Sequence, residues 1–190
     1  MSSRSAYIAA EGDLLTVEAL PDVVGDAPGE LIAGRFVPMT PTGRPHARTE
    51  VKLAARLEAF VTKHALGEVY AGEVGIVIRR SPDTLRAADI AFLSRSRLER
   101  ASPHGFLDVA PDLIVEIVSP NDRWTDVNDK IADYFAIGVD AIWIVNPQRG
   151  QISIYRSATD VRLYEAGDLI SGEPELPGFT LDTADLFAAR

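Results

Sequence analysis

The sequence contains no cysteine, and this absence excludes several kinds of site. Disulfide bonds, zinc–thiolate centres and thiol catalysis all require the missing residue. No apolar run is long enough to span a bilayer, and the N-terminus lacks the charged-then-apolar pattern of a signal peptide. We therefore expect a soluble, cytoplasmic protein with no membrane partner.

Positive charge is also scarce. The chain has 19 lysines and arginines against 28 aspartates and glutamates, which gives a formal net charge of −9. This balance offers no broad electrostatic footprint for nucleic acid, so any such contact needs a local basic patch. It counts only modestly against a protein that acts on nucleic acid, because a metal site itself contributes acidic residues.

Four familiar motifs are missing as well. The chain has no phosphate-binding glycine loop with a lysine and no dinucleotide fingerprint. It also has no HExxH zinc helix and no nucleophile elbow. The chemistry of this protein must therefore be sought in other residues.

What is present is the composition of an ordinary globular domain, 46% hydrophobic and 25% charged. A chain of 190 residues suits one domain of mixed α/β type with a sizeable core. We assign residues 1–29 to an N-terminal extension, in which Leu14 to Leu20 form a short helix ended by Pro21. Residues 30–190 form a single domain.

Local patterns predict the elements of that domain. The segment 30–38 reads as a hairpin with Gly34 at its bend. Apolar residues at helical spacing predict a long helix over 46–65, and 87–93 reads as a strand. Two alternating segments within 151–166 predict an antiparallel meander after the centre of the chain.

The stretch from Pro111 to Pro147 organises the rest of the chain. Residues 113–118 are apolar on both strand faces apart from one acid, which is typical of an interior strand. Residues 127–138 have helical spacing and end at a glycine, and 141–145 form a second buried-type strand. Strand, helix and strand so close together predict a crossover unit with parallel strands, where ligands collect at the carboxyl ends.

Glu116 is the acid in the first of these strands, and it lies with Ser119 at the end where ligands collect. Burying an ionised carboxylate costs several kcal/mol unless a cation or strong donors compensate it. Glu116 therefore belongs to a functional site, or it is a structural carboxylate paired with a buried arginine.

A second acid, Asp89, lies in the predicted strand 87–93, and neighbouring strands could bring it and Glu116 to a common cation. Two carboxylates with waters and a substrate phosphate make the oxygen-rich site that Mg²⁺ prefers. Such a cation would polarise a phosphodiester and lower the pKa of an attacking water. Lys130, on the following helix, would stabilise the charge on the phosphoryl group or orient the water, unless it is a solvated border residue.

Five segments carry a resemblance to a known family: GELIAGRFV, His46 at the start of a helix, AADIAFLS, PDLIVEIVSP and DKIADYFAIGVDAIWIVNP. Together they resemble the Uma-type family of restriction endonucleases, in the PD-(D/E)XK nuclease superfamily, over roughly residues 30–187. The resemblance implies a restriction-endonuclease-like core with a mixed central sheet flanked by helices. It also implies an acid on one strand, an acid-x-lysine pattern on the next, and often a glutamate from an earlier element.

Carried over residue by residue, the resemblance implies that Asp89, Glu116 and Lys130 are catalytic. It implies that Mg²⁺ or Mn²⁺ is held by Asp89 and Glu116, with Glu30 of the early hairpin as a further ligand. Val118 stands where the superfamily pattern has lysine. Water activation by a lysine therefore depends on Lys130 reaching the site from its helix.

Contacts with substrate are assigned to His46, Ser119 and Arg95. His46 helps to start its helix or contacts a phosphate, and Arg95 lies in a basic loop that either contacts a nucleic-acid backbone or is solvated. Glu73 is an acid on a strand near the predicted site, and the sequence assigns it no role.

The implied function is that of a metal-dependent endonuclease that hydrolyses DNA phosphodiester bonds through a metal-activated water. A homodimer is expected, because a cut in both strands needs two sites. The alternative is a catalytically inactive module that keeps the nuclease fold and binds nucleic acid or protein. Val118 and the acidic net charge favour that alternative, and the buried Glu116 disfavours it. A hydrolase of small phosphoesters would share the site but not the substrate.

Overall fold

An eight-stranded sheet is the centre of the fold in the computed structural model, which describes residues 14–120 and 122–188. Its strands are β1 (Gly29–Ile32), β2 (Arg35–Pro38), β3 (Gly67–Arg79), β4 (Thr84–Ser94), β5 (Leu113–Ile117), β6 (Ala141–Asn146), β7 (Gln151–Tyr155) and β8 (Val161–Glu165). Their order is β2-β1-β4-β5-β6-β7-β8, and β3 also pairs with β4. The β5–β6 pair is parallel and the other pairs of this sheet are antiparallel.

Shorter elements complete the described chain. A separate antiparallel pair is formed by β9 (Leu169–Ser171) and β10 (Thr180–Asp182). The helices are α1 (Leu20–Val24), α2 (Arg44–His64), α3 (Arg95–Leu98), α4 (Trp124–Ile137) and α5 (Thr183–Phe187). None of them is long and apolar enough to cross a membrane.

Helices cover both faces of the sheet, because α2 and α4 each present an apolar stripe. On one face, buried residues of α2 such as Leu53 and Leu57 pack in the cluster that contains Trp143 of β6. On the other face, Ile131 and Tyr134 of α4 pack in a second cluster with neighbouring strand residues. Since both faces are covered, β5 is buried along its whole length, as its continuous apolar pattern predicts.

The fold class expected from the sequence is confirmed: the protein has a mixed, mostly antiparallel central sheet flanked by helices. The crossover unit is present as β5, α4 and β6, with its two strands parallel. The early hairpin is β1–β2, and the meander is formed by β6, β7 and β8. The crossover unit, the hairpin and the meander were each predicted from the local pattern of apolar and turn residues.

The predicted helix from Leu14 to Leu20 is wrong. Helix α1 begins at Leu20 and has Pro21 in its first turn, where the missing proline N–H leaves no helical bond unmade. A proline that opens a helix was therefore interpreted as one that ends it. Residues 1–13 of the predicted N-terminal extension lie outside the described residues, as do 189–190 at the other end of the chain.

Candidate active site

Asp89 and Glu116 lie where strands β4 and β5 stop pairing through their backbones. The register pairs Ile90 with Val115, so one further step places Asp89 opposite Glu116. At this point the backbone N–H of Ile117 donates to the Asp89 carboxylate at 2.6 Å. The Asp89 carboxylate thus accepts the hydrogen bond that a backbone carbonyl of the neighbouring strand would otherwise accept. Asp89 and Glu116 lie next to each other on these adjacent strands.

Glu116 is 8% exposed and is held by donors from helix α4. Lys130 Nζ lies 3.0 Å from Glu116 Oε2, and the Tyr134 hydroxyl donates to Oε1 at 2.6 Å. Burial raises the pKa of Glu116 to about 7, against the opposing charge of Lys130. Glu116 is therefore buried in contact with a cation and a hydroxyl donor, which offset the free-energy cost of burying its carboxylate.

Lys130 bridges two carboxylates. Besides Glu116, its ammonium lies 3.1 Å from Glu30 Oε1 and donates to the Ala87 carbonyl at 2.9 Å. Burial lowers the pKa of Lys130, but the charges of Glu116 and Glu30 outweigh burial, and the net pKa is raised. The lysine is therefore charged and has a fixed position between the early hairpin and strand β5.

Glu30 is surrounded by donors. Its Oε2 accepts from Arg86 at 3.0 Å and its Oε1 accepts from the Ala87 backbone at 3.1 Å, in addition to the ion pair with Lys130. Arg86 is in turn fixed by Asp133 of α4, with Nη2 and Oδ2 2.6 Å apart. These contacts give Glu30 a clear part in holding Lys130.

His46 contacts the other catalytic candidate. Its Nε2 lies 3.0 Å from Asp89 Oδ1, and because an ionised carboxylate only accepts, Nε2 carries the proton in this arrangement. The other ring nitrogen, Nδ1, is 3.5 Å from the Ser119 hydroxyl. Burial lowers the pKa of His46, but Asp89, Glu50 and Asp122 together raise it above 6.5.

Two acids that sequence reasoning did not place, Glu50 and Glu73, complete the cluster. Glu50 lies one helical turn after His46, with Oε2 3.8 Å from His46 Nε2. Burial and then the charge of Asp89 raise the pKa of both acids. The spacing of four residues between His46 and Glu50 indicated that the two side chains share one face of a helix. Nothing in the sequence around Glu73 indicated that its side chain points into the protein.

The structure does not bring Arg95 to this cluster. Arg95 is exposed at the start of α3, directly after Ser94, whose N–H donates to Asp112 just before β5 begins. Glu116 lies four residues further along β5, about 13 Å at the rise of a strand. The remaining sequence-predicted residues, Asp89, Glu116, Lys130, Glu30, His46 and Ser119, are connected by the contacts described above.

The donor set fits an oxygen-preferring divalent cation. One ligand atom from each of His46, Glu50 and Asp89 can be chosen so that all three lie within 4.8 Å of one another. The wider cluster contains five carboxylates (Glu30, Glu50, Glu73, Asp89 and Glu116) and three groups able to carry positive charge (Lys130, Arg86 and His46). Excess negative charge and carboxylate oxygens are what Mg²⁺ and Mn²⁺ sites offer.

Comparison with known proteins points in one direction. A family model described as "Putative restriction endonuclease" matches residues 18–184 of the chain. A crystal structure from Anabaena variabilis ATCC 29413, described as a putative nuclease belonging to DUF820, has the same fold, with a TM-score of 0.76. The alignment covers 91% of this chain and 97% of that one at 19% sequence identity. No curated protein matches the chain.

Proposed function

Because this chain belongs to the Uma2 family of restriction-endonuclease-like proteins, we propose that it is a divalent-metal-dependent endonuclease that hydrolyses DNA phosphodiester bonds. The observation that carries the proposal is the pair of acids, Asp89 and Glu116, at the point where β4 and β5 separate. The partly buried ammonium of Lys130 beside Glu116 supports it further.

Asp89 and Glu116 are the residues that would hold Mg²⁺ or Mn²⁺. When bound, such a cation would polarise the phosphodiester and lower the pKa of an attacking water. The N–H of Ile117 keeps the Asp89 carboxylate in place, and Tyr134 does the same for Glu116. Rigid support of this kind keeps ligands in a productive geometry.

Lys130 supplies the fixed positive charge of the proposed reaction. It reaches Glu116 from helix α4, so the valine at position 118 does not leave the site without a lysine. Its ammonium would stabilise the charge that develops on the phosphoryl group or orient the water. Glu30 was expected as a further metal ligand, but its contacts favour a role in holding Lys130.

His46 and Ser119 are proposed to contact the substrate. The two side chains meet beside Asp89, and both have groups that can donate to a phosphate oxygen. A homodimer with two such sites is part of the proposal, because a cut in both DNA strands requires two catalytic centres.

The test is cleavage of supercoiled plasmid DNA with Mg²⁺ or Mn²⁺, compared with the same reaction in EDTA. Nicked or linear DNA that forms only with the cation supports the proposal. Retention of DNA without cleavage would favour the non-catalytic binding module. Hydrolysis of small phosphoesters with the polymer left intact would instead select a phosphoesterase of small substrates.

Cation affinity should fall as the pH falls below about 7. The pKa of Glu116 is raised to about 7, and a protonated carboxyl group does not bind a cation. The raised pKa of His46 acts in the same direction, because the positive charge that His46 gains strengthens its pair with Asp89 and repels a cation there. We expect Mn²⁺ affinity, measured by calorimetry, to weaken between pH 7 and pH 5.5 by up to about tenfold per pH unit for each proton that the cation displaces. Affinity independent of pH over this range would contradict the involvement of Glu116.

A further inference from the structure

Glu73 has a buried oxygen with no partner. Among residues 14–120 and 122–188, its Oε2 is the one carboxylate oxygen that is both buried and without a hydrogen bond. A buried polar atom without a partner costs free energy, and such atoms are rare outside strained or functional positions. The oxygen therefore requires an explanation that a surface glutamate does not.

The backbone directs this side chain inward at a bulge of β3. The register with β4 shifts between Ala71 and Val74, and the two residues between them have positive φ, +90° at Gly72 and +62° at Glu73. Glu50 of α2 holds the bulge, because its Oε1 accepts from the Gly72 N–H at 3.1 Å. Bulges of this kind redirect side chains and are frequent beside active sites.

The groups around Glu73 do not neutralise it. The charges that act on its carboxylate are those of Asp89 and Glu50, which repel it, and those of Lys130 and His46, which attract it. Both attracting groups are already paired with other acids, Lys130 with Glu116 and Glu30, and His46 with Asp89. The cluster therefore keeps an excess of negative charge, which a divalent cation beside Asp89 would offset.

We propose that Glu73 is a further ligand of the divalent cation held at Asp89, supplied by β3 on the edge of β4 opposite to β5. The proposal rests on the proposed function, because it needs a cation at Asp89. The expected ligand is a cation that prefers oxygen donors and also tolerates the imidazole of His46 nearby. Mn²⁺ meets both conditions and is the probe for the test.

The role of Glu73 predicts opposite effects of one substitution on stability and on binding. In EDTA, Glu73→Gln should melt about 2–4 °C higher than the wild type, because the amide removes a partly buried charge that neighbouring acids repel. In calorimetric titrations the same variant should bind Mn²⁺ at least about tenfold more weakly, the scale of loss when a metal site loses a supporting group. The gain in melting temperature on adding Mn²⁺ should shrink accordingly.

Two further variants keep the test decisive. Glu68→Gln changes an exposed glutamate of the same strand and should match the wild type in both measurements. Glu73→Gly removes the carboxylate but suits the left-handed backbone, so it should fold and should lose Mn²⁺ affinity as Glu73→Gln does.

The outcomes separate this proposal from the proposed function. Wild-type Mn²⁺ affinity in Glu73→Gln and Glu73→Gly, with affinity lost in Asp89→Asn, would overturn the role of Glu73 alone. A wild type that binds no Mn²⁺ would overturn both. A Glu73→Gln variant that melts below the wild type in EDTA would identify Glu73 as a structural residue and also overturn its role as a ligand.

Discussion

Replacing Asp89 by asparagine should reduce DNA cleavage by more than about 100-fold, because removing groups that only hold a metal ligand already costs about 10–100-fold. The substitution removes a carboxylate charge from the proposed cation site. It should leave the fold intact, since the amide oxygen can still accept from the Ile117 N–H and the amide nitrogen can donate to a neutral His46. Initial rates of plasmid nicking, measured together with circular dichroism, check both parts.

Asp129→Asn is the matched control for this substitution. Asp129 is exposed on α4, directly before Lys130, and has the same side chain outside the cluster. The control should cleave at the wild-type rate. Cleavage by Asp89→Asn within threefold of the wild type would remove Asp89 from the mechanism.

Replacing Lys130 by methionine should destabilise the protein by about 3 kcal/mol at pH 8, the lower end of the cost of breaking a buried ion pair. The change leaves Glu116 and Glu30 buried without their shared cation. The pKa of Glu116, already raised to about 7, should rise further, so the destabilisation should shrink as the pH falls and Glu116 takes up a proton. Urea unfolding at pH 8 and pH 5.5 in EDTA measures the difference.

Two variants test whether the ion pair causes this loss. Lys63→Met changes an exposed lysine of α2 and should unfold as the wild type does. Adding Glu116→Gln to Lys130→Met removes the uncompensated charge and should restore part of the lost stability. An equal loss at both pH values, or no recovery in the double variant, would show that Lys130 acts mainly through packing.

The architecture was largely predictable because its elements have strong local patterns. The apolar run of β5, the helical spacing of α4 and the second apolar run of β6 identified a parallel crossover unit. Burial on both faces leaves few other ways to fold such a segment. Helix α1 was misplaced because a proline can open a helix as readily as follow one.

The candidate site was predictable where a residue type is unusual for the segment in which it occurs. Glu116 stood out as an acid inside a buried strand, and Lys130 followed from the resemblance. That the Lys130 ammonium lies 3.0 Å from the Glu116 carboxylate could be learned only from the structure. The setting of Glu30 was not predictable, because its partner Arg86 lies 56 positions along the chain. Glu73 was not assignable, since a glycine such as Gly72 can mark a bulge in a strand without showing where the next side chain points.

The most direct test of the central claim, a divalent cation held by Asp89 and Glu116, is calorimetric titration of Mn²⁺ into the wild type and Glu116→Gln at pH 8. The measurement needs no choice of DNA sequence, and circular dichroism establishes that both proteins are folded. We expect saturable binding to the wild type and a loss of affinity of at least about 100-fold in the variant, above the loss caused by removing a supporting group. A folded wild type that takes up no Mn²⁺, or a Glu116→Gln variant that binds it equally well, would contradict the claim.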